Sequence, residues 1–349
     1  MLPEGEIVND DILFCKDVYY SGSTQEFVKM PDTSLKLISI ETPVLYVDNL
    51  HSCYSHMIES ILHFHWVIKV LEEKNYIPTK DITIFIQKEN LLKYRNFHKN
   101  IDDEKKCYTG AWNDLPKVVT KRPVLFEHWV EKDTLFYFPT MFVLEFPYYQ
   151  YSFWNTHLYY PARELPPEYK YFHLHTYKIQ KDNDESLVRF SDEKIREELL
   201  AFRTSVLQMY MQEYDVRKSE RKQAILINRK VGRLFEQKQM DALTMYLKQI
   251  SGIEFKGIFV LEDLPFGEQV QLFNTTDIFV MKHGSAPTNM IWAKPGSILI
   301  ELDEYTGRTT IFQRLCSFLD QTCCYLPLSS IDTEEGLLNF KEILTNFLR

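Results

Sequence analysis

The sequence predicts an α/β protein in two domains, the C-terminal one Rossmann-like, and three observations carry that reading. The chain has 349 residues, enough for two cores at roughly 100–200 residues per domain. Short apolar runs alternate with helical patterns through the C-terminal part. Those runs place apolar residues at consecutive positions rather than at every second one. Strands of that kind are covered on both faces, as in a parallel sheet wrapped by helices.

In chain order, Pro43–Val47 reads as a strand. A helix follows from about Ser55 to Leu71, with Ile58, Ile61, Leu62, His65 and Leu71 near helical spacing. Asp81–Ile86 is a second strand, with Ile82, Ile84 and Ile86 alternating. The apolar stretch Leu135–Leu144 is far short of the ~20 residues a membrane-spanning helix needs. It runs into Glu145 and Pro147, so it reads as a buried strand opening the aromatic-rich region Phe136–Tyr160. A polar run, Lys178–Ser186, precedes a helix around Ser191–Tyr214 that carries Leu199, Leu200, Val206 and Leu207. The junction between domains falls in 185–220 on this reading.

Beyond it, Ala224–Ile227, Ile258–Leu261, Ile278–Met281, Ile298–Leu302 and Cys323–Leu328 read as strands. Met240–Ile250, Phe266–Phe273, Thr288–Ala293 and Thr310–Leu319 read as the helices between them. An amphipathic helix, Thr333–Leu348, closes the chain. The expected division is therefore 1–195, 196–330 and a last helix in 331–349.

Composition narrows the function. With 40 Lys and Arg against 49 Asp and Glu, the net charge is −9, which disfavours a general nucleic-acid binder. Only 11 residues are Gly, while 21 Tyr and 24 Phe supply core, so collagen-like and disordered classes fall away. The first 30 residues carry neither a basic n-region nor an apolar h-region. The expectation is a soluble, cytoplasmic protein with no membrane span, or a lumenal one if the chain is trimmed from a longer protein. The six cysteines lack CxxC spacing and read as reduced structural thiols.

Three segments carry candidate chemistry. His283-Gly284-Ser285-Ala286-Pro287-Thr288-Asn289 joins a buried strand to a helix at the strand's carboxyl end. Gly284 would let backbone N–H groups approach a ligand, and a helix start favours phosphate. Ser285 and Pro287 suit a cap and first turn, so an ordinary capped turn is the competing reading. Asn228, Arg229, Lys230 and Arg233 leave the first strand of the same sheet. Cations there can meet an anion in the crevice of an α/β sheet, or simply solvate a loop. In the N-terminal part, His56 and Glu59 share one helix face and suit a general base with its orienting partner, against a plain helix-start Glu.

Metal-like features are weaker. His63 and His65 fall in a helix, where positions two apart do not share a face. His173 and His175 lack a carboxylate partner, and Asp182-Asn183-Asp184 sits in a charged run after no strand. No GxSxG, GxxxxGK[ST], HExxH or complete GxGxxG is present.

The residues from Val260 to Leu302 resemble glycosyltransferase family 61. The carrying motifs are Glu262-Asp263-Leu264-Pro265-Phe266, Glu268-Gln269, Asp277, His283 to Met290, Lys294-Pro295-Gly296-Ser297 and Ile300-Glu301-Leu302. Upstream, Ile227-Asn228-Arg229-Lys230 with Arg233 is similar to the family's arginine segment, and Phe202-Arg203 to the helix before it. Tyr54 to Glu59 resembles an N-terminal family segment, with Ser55 where some members carry His. Ser285 and Pro287 replace a usual Ala and a common Leu.

The resemblance implies a GT-B fold, two Rossmann-like domains facing across a cleft, with the last helix crossing back. It implies an inverting, metal-independent transfer with no cofactor. The donor would be a nucleotide sugar, UDP-linked and of the xylose or N-acetylglucosamine type, and the acceptor a glycan or glycoprotein hydroxyl. Donor-binding residues would be Asn228, Arg229, Arg233, Glu262, His283, Gly284, Ser285 and Asn289. Glu59, oriented by His56, would be the catalytic base. The alternative is a non-catalytic relative that keeps the sheet as a glycan- or protein-binding scaffold. Oligomeric state is left open.

Overall fold

The computed structural model of the chain describes residues 5–9, 12–24, 26–29, 34–47, 54–86, 111–122, 124–126, 131–144, 192–211, 220–230, 232–303 and 310–349. They divide into two compact units: nearly all described residues up to 144 form the first, and Asp192–Arg349 the second.

The first unit is built on one mixed sheet. Its strands are β1 (Glu6–Asn9), β2 (Ile12–Ser21), β3 (Glu26–Val28), β4 (Lys36–Ser39), β5 (Val44–Val47), β6 (Thr83–Ile86), β7 (Val124–Phe126) and β8 (Thr134–Leu144). Helix α1 (Tyr54–Glu73) connects β5 to β6, and α2 (Ala111–Val119) precedes β7. The order is β1-β2-β8-β5-β6-β7, with β3 on β2 and β4 on β8. β8, β5, β6 and β7 pair in parallel, and β5 and β6 are buried at every position. That part agrees with the parallel-sheet α/β side of the expectation.

The rest corrects it, because β2 joins β8 antiparallel and carries β1 and β3 with it, also antiparallel. Charged residues such as Glu6, Lys16 and Asp17 interrupt the apolar alternation there and hide these strands from a periodicity reading. The β2–β8 ladder skips Asp17 and Pro139, where Pro139 has no N–H to give and Asp17 turns to φ 54°. Aromatic rings fill this core, with Phe85 against Tyr20, Tyr46, Phe136 and Phe138.

The second unit holds a five-stranded, all-parallel sheet in the order β10-β9-β11-β12-β13. The strands are β9 (Lys222–Asn228), β10 (Ile253–Val260), β11 (Ile278–Lys282), β12 (Ile298–Asp303) and β13 (Thr322–Pro327). The helices are α3 (Asp192–Tyr210), α4 (Gln237–Gln249), α5 (Phe266–Thr275), α6 (Thr310–Phe318) and α7 (Glu334–Phe347). β11 and β12 are buried throughout, as the apolar runs Ile278–Met281 and Ile298–Ile300 require. β10 starts at Ile253, earlier than the expected Ile258, and bulges between Phe255 and Gly257, where Gly257 takes φ +130°. The expected helix Thr288–Ala293 is instead a 3-10 turn, Ala286–Trp292.

Helix α7, for which the sequence suggests a crossing toward the first domain, buries Phe340 and Leu344 among Leu226, Leu243 and Leu326. Thr333 caps it by accepting from the Gly336 N–H at 3.1 Å. Among the described residues no helix is long and apolar enough to cross a membrane.

The strand order creates one special place. The chain leaves β9 outward to β10 and then returns past β9 to β11. The connections therefore diverge between β9 and β11, and open α/β sheets bind ligands at the carboxyl ends of such strands.

Candidate functional site

The carboxyl ends of β9 and β11 bring the two cationic and glycine-bearing segments together. β9 ends at Asn228 and is followed by Arg229, while β11 ends at Lys282 and is followed by His283, Gly284 and Ser285. Gly284 has φ +155°, and a Cβ there would lie 3.1 Å from the Arg229 Nη1. The Arg229 guanidinium therefore sits beside the bare backbone of the turn, in space a side chain would claim. Arg233 reaches the same turn, with Nη1 donating to the His283 carbonyl at 3.0 Å.

A third strand end contributes Glu262, in the 3-10 turn Leu261–Asp263 after β10. Its carboxylate lies 3.7 Å from Arg229 Nε, and both side chains keep about a third of their surface exposed (31% and 37%). Arg229 is thus aimed but still accessible to an anion. Lys230 pairs with Asp263 alongside.

Behind the turn lies a buried polar cluster. His283 Nδ1 hydrogen-bonds the Glu301 carboxylate, and Asp303 Oδ2 is 4.0 Å from the same nitrogen. Glu301 is 1% exposed. Burial pushes its carboxyl above the ordinary range, the His283 hydrogen bond and charge oppose that, Asp303 adds to it and Arg233 counters it. The His283 ring stands edge-on to Phe312 at 5.6 Å.

Other expected site residues do structural work. The Asn228 side-chain oxygen accepts from the Phe235 N–H at 3.0 Å, and its amide faces the Met240 sulfur at 3.2 Å. Lys282 donates to the Leu234 carbonyl and lies over the Phe235 ring. Together they shape the loop that carries Arg233. Ser285 precedes the 3-10 turn without a side-chain cap, and the buried Asn289 donates to the Ala286 carbonyl at 3.2 Å. His56 and Glu59 fall in the opening turns of α1, and their side chains lie outside the described residues, as does that of His63. His173, His175, Asp182 and Asp184 lie outside them altogether.

Residues 54–300 match the family model described as Glycosyltransferase 61, which is well over half of the chain. The chain belongs to glycosyltransferase family 61. Membership makes it a glycosyltransferase and implies a sugar donor and a glycan acceptor. No curated protein matches it. Among solved structures it is similar to one described as the glycotransferase of kitacinnamycin, at 6% identity and a TM-score of 0.31, over 88% of this chain and 93% of that one.

Within this family 61 chain the structure separates residues that face the crevice from those that brace it. The 3-10 turn Ala286–Trp292 would end in unmet carbonyls, and remote side chains meet them. Arg203 on α3 donates to the Ala293 carbonyl at 2.9 Å, and Asn274 to that of Trp292 at 3.0 Å. Gln321 donates to the carbonyls of Met290 at 2.9 Å and Ala293 at 2.8 Å. Burial lowers the pKa of Arg203. Asn274 and Gln321 carry no signal in the sequence, because their partners are backbone atoms of a distant segment.

Asp277, part of the family-like block, sits at the opposite end of the sheet. It accepts from the Gln223 N–H at 2.9 Å and pairs with Lys294 at 2.9 Å and Lys222 at 3.4 Å. It joins β9 to β11 at their amino ends, away from the crevice. Glu301 is the reverse case, a site residue to which the sequence assigned no role. Its signal is a carboxylate inside the apolar run Ile298–Leu302, opposite Met281 on β11.

Proposed function

We propose that this chain transfers a sugar from a UDP-linked donor to a hydroxyl of a glycan or glycoprotein, with inversion at the anomeric carbon. The observation that carries the reading is the convergence of Arg229, Arg233 and the His283–Gly284 backbone at the β9/β11 crevice. Such a site suits a diphosphate, which takes charge as the bond to the sugar breaks.

In this reading Arg229, steered by Glu262, meets the diphosphate directly. Arg233 acts by holding the His283 carbonyl, so the turn's N–H groups stay aimed at the crevice. Asn228 and Asn289 support the two loops, and Glu262 and Ser285 border the sugar or nucleotide. Arginine and backbone N–H groups carry the charge that a divalent ion carries in metal-dependent transferases, so the reaction calls for no cofactor.

The acceptor and base come from the first unit, in a GT-B arrangement of two facing domains. An acceptor hydroxyl oxygen attacks the anomeric carbon from the side opposite the diphosphate. The carbon–oxygen bond to the diphosphate breaks, and its electron pair leaves with UDP. Glu59, oriented by His56, takes the hydroxyl proton. The sugar is of the xylose or N-acetylglucosamine type.

Thermal shift with a panel of nucleoside diphosphates tests the donor site. UDP is expected to raise the melting temperature, and no shift with any nucleotide overturns the reading. Glu59→Gln is expected to abolish transfer while UDP still binds, and unchanged transfer moves the base elsewhere.

A further inference from the structure

Glu301 occupies an unusual position for a carboxylate, 1% exposed within the apolar strand β12. Its Oε1 is bonded to His283 Nδ1, and its Oε2 has no hydrogen-bond partner among the described residues. The groups facing the pair come from every neighbouring element. Asp303 on β12 adds a second buried carboxylate, 4.0 Å from Nδ1. Arg233, from the loop after β9, supplies a cation felt by Glu301. Tyr325 and Cys323 on β13 both feel the negative charge of Glu301, and Phe312 on α6 packs its ring against that of His283 at 5.6 Å.

The ring has only one other nitrogen to offer. With Nδ1 committed to Glu301, Nε2 is the atom left for a ligand, and the side chain keeps 11% of its surface exposed. The backbone of the same residue is already held at the crevice by Arg233.

We propose that Glu301 is a positioning residue that holds His283 as a cation once the donor is bound, with Nδ1–H donating to the Glu301 carboxylate and Nε2–H to a diphosphate oxygen of the donor. The inference rests on the donor-site reading above. A neutral imidazole carries one N–H and cannot donate at both nitrogens, whereas a carboxylate on one side and a phosphate on the other require two donors. Replacing Glu301 by Gln keeps the size and an acceptor oxygen but removes the charge that stabilises the second proton.

The test compares the wild-type chain with Glu301→Gln. Calorimetric titration with UDP and with uridine separates the diphosphate from the nucleoside. The variant is expected to bind UDP about ten- to hundredfold more weakly, the worth of a charge-assisted hydrogen bond, and uridine unchanged. Long-range proton–nitrogen NMR gives the protonation of each ring nitrogen, with His283 assigned by the signal lost in His283→Gln. Wild-type His283 is expected to carry Nδ1–H when free and protons on both nitrogens when UDP is bound.

Equal UDP affinity in the variant, an equal loss for uridine, a wild-type ring protonated only at Nε2, or a ring that keeps a single proton with UDP bound overturns the role of Glu301. A wild type that binds no nucleoside diphosphate overturns the donor reading itself, and the diphosphate contact with it. If Glu301→Gln does not fold, the wild-type ring spectra alone decide.

Discussion

Arg229 and Gly284 come from different strand ends yet pack so closely that a Cβ on residue 284 would stand 3.1 Å from the Arg229 Nη1. That contact is tighter than side chains ordinarily keep, and φ +155° is a conformation L residues rarely adopt. Gly284→Ala therefore strains the turn by about 1–3 kcal/mol and displaces the guanidinium. A lowered melting temperature together with UDP binding weakened at least about tenfold is expected from calorimetry, one charge-assisted contact being worth that much. UDP binding at wild-type strength would show that the close approach has no bearing on the ligand.

The two arginines are expected to fail differently. Arg229 faces the crevice, and Arg229→Lys keeps the charge but loses the planar fork that grips a phosphate from two directions. UDP affinity should fall about tenfold, near 1.4 kcal/mol, with little change in stability. Arg233 is a brace on the His283 carbonyl, so Arg233→Lys should lower the melting temperature as well as the affinity. Parallel thermal melts and UDP titrations of the two variants distinguish the roles.

The second unit was largely legible because β9, β11 and β12 carry the consecutive apolar runs Ala224–Ile227, Ile278–Met281 and Ile298–Ile300, and burial on both faces explains such runs. The His283–Gly284 turn and the Arg229 cluster were visible as segments for the same reason, since each directly follows one of those strands. Which side chains face the ligand was not legible. Asn228 looks identical in sequence whether it meets a nucleotide or, as here, the Phe235 N–H. The pairing of His283 with Glu301 depends on the β11–β12 register, which no local pattern encodes. In the first unit, β1 and β2 escaped because Glu6, Lys16 and Asp17 break the alternation that marks a half-buried strand.

Asp277 offers a control remote from the crevice. Its carboxylate is nearly buried and ties the Gln223 N–H, Lys222 and Lys294 together at the amino ends of β9 and β11. Asp277→Ala leaves that N–H unmet and should cost about 1–3 kcal/mol in urea unfolding. Asp277→Asn restores an acceptor and should recover part of the loss. UDP affinity should be unchanged in both, and a large fall would mean that the two ends of the sheet are coupled.

Glu301 also predicts how stability changes with pH. Burial is the largest influence on its carboxyl and holds it above the ordinary 4.5, although the His283 bond pulls the other way. In the window from 4.5 up to the raised folded-state value, the folded chain binds more protons at this site than the unfolded chain does. Its contribution to stability is therefore full below that window and is lost as pH rises through it. Glu301→Gln removes the titration, so the unfolding free energy of the variant relative to wild type should rise as pH increases from about 4.5 through the raised folded-state value and level off below. Urea midpoints of both proteins across that range measure the slope. A gap that narrows in the variant's disfavour as pH rises would mean that the His283 pairing, not burial, governs the Glu301 carboxyl.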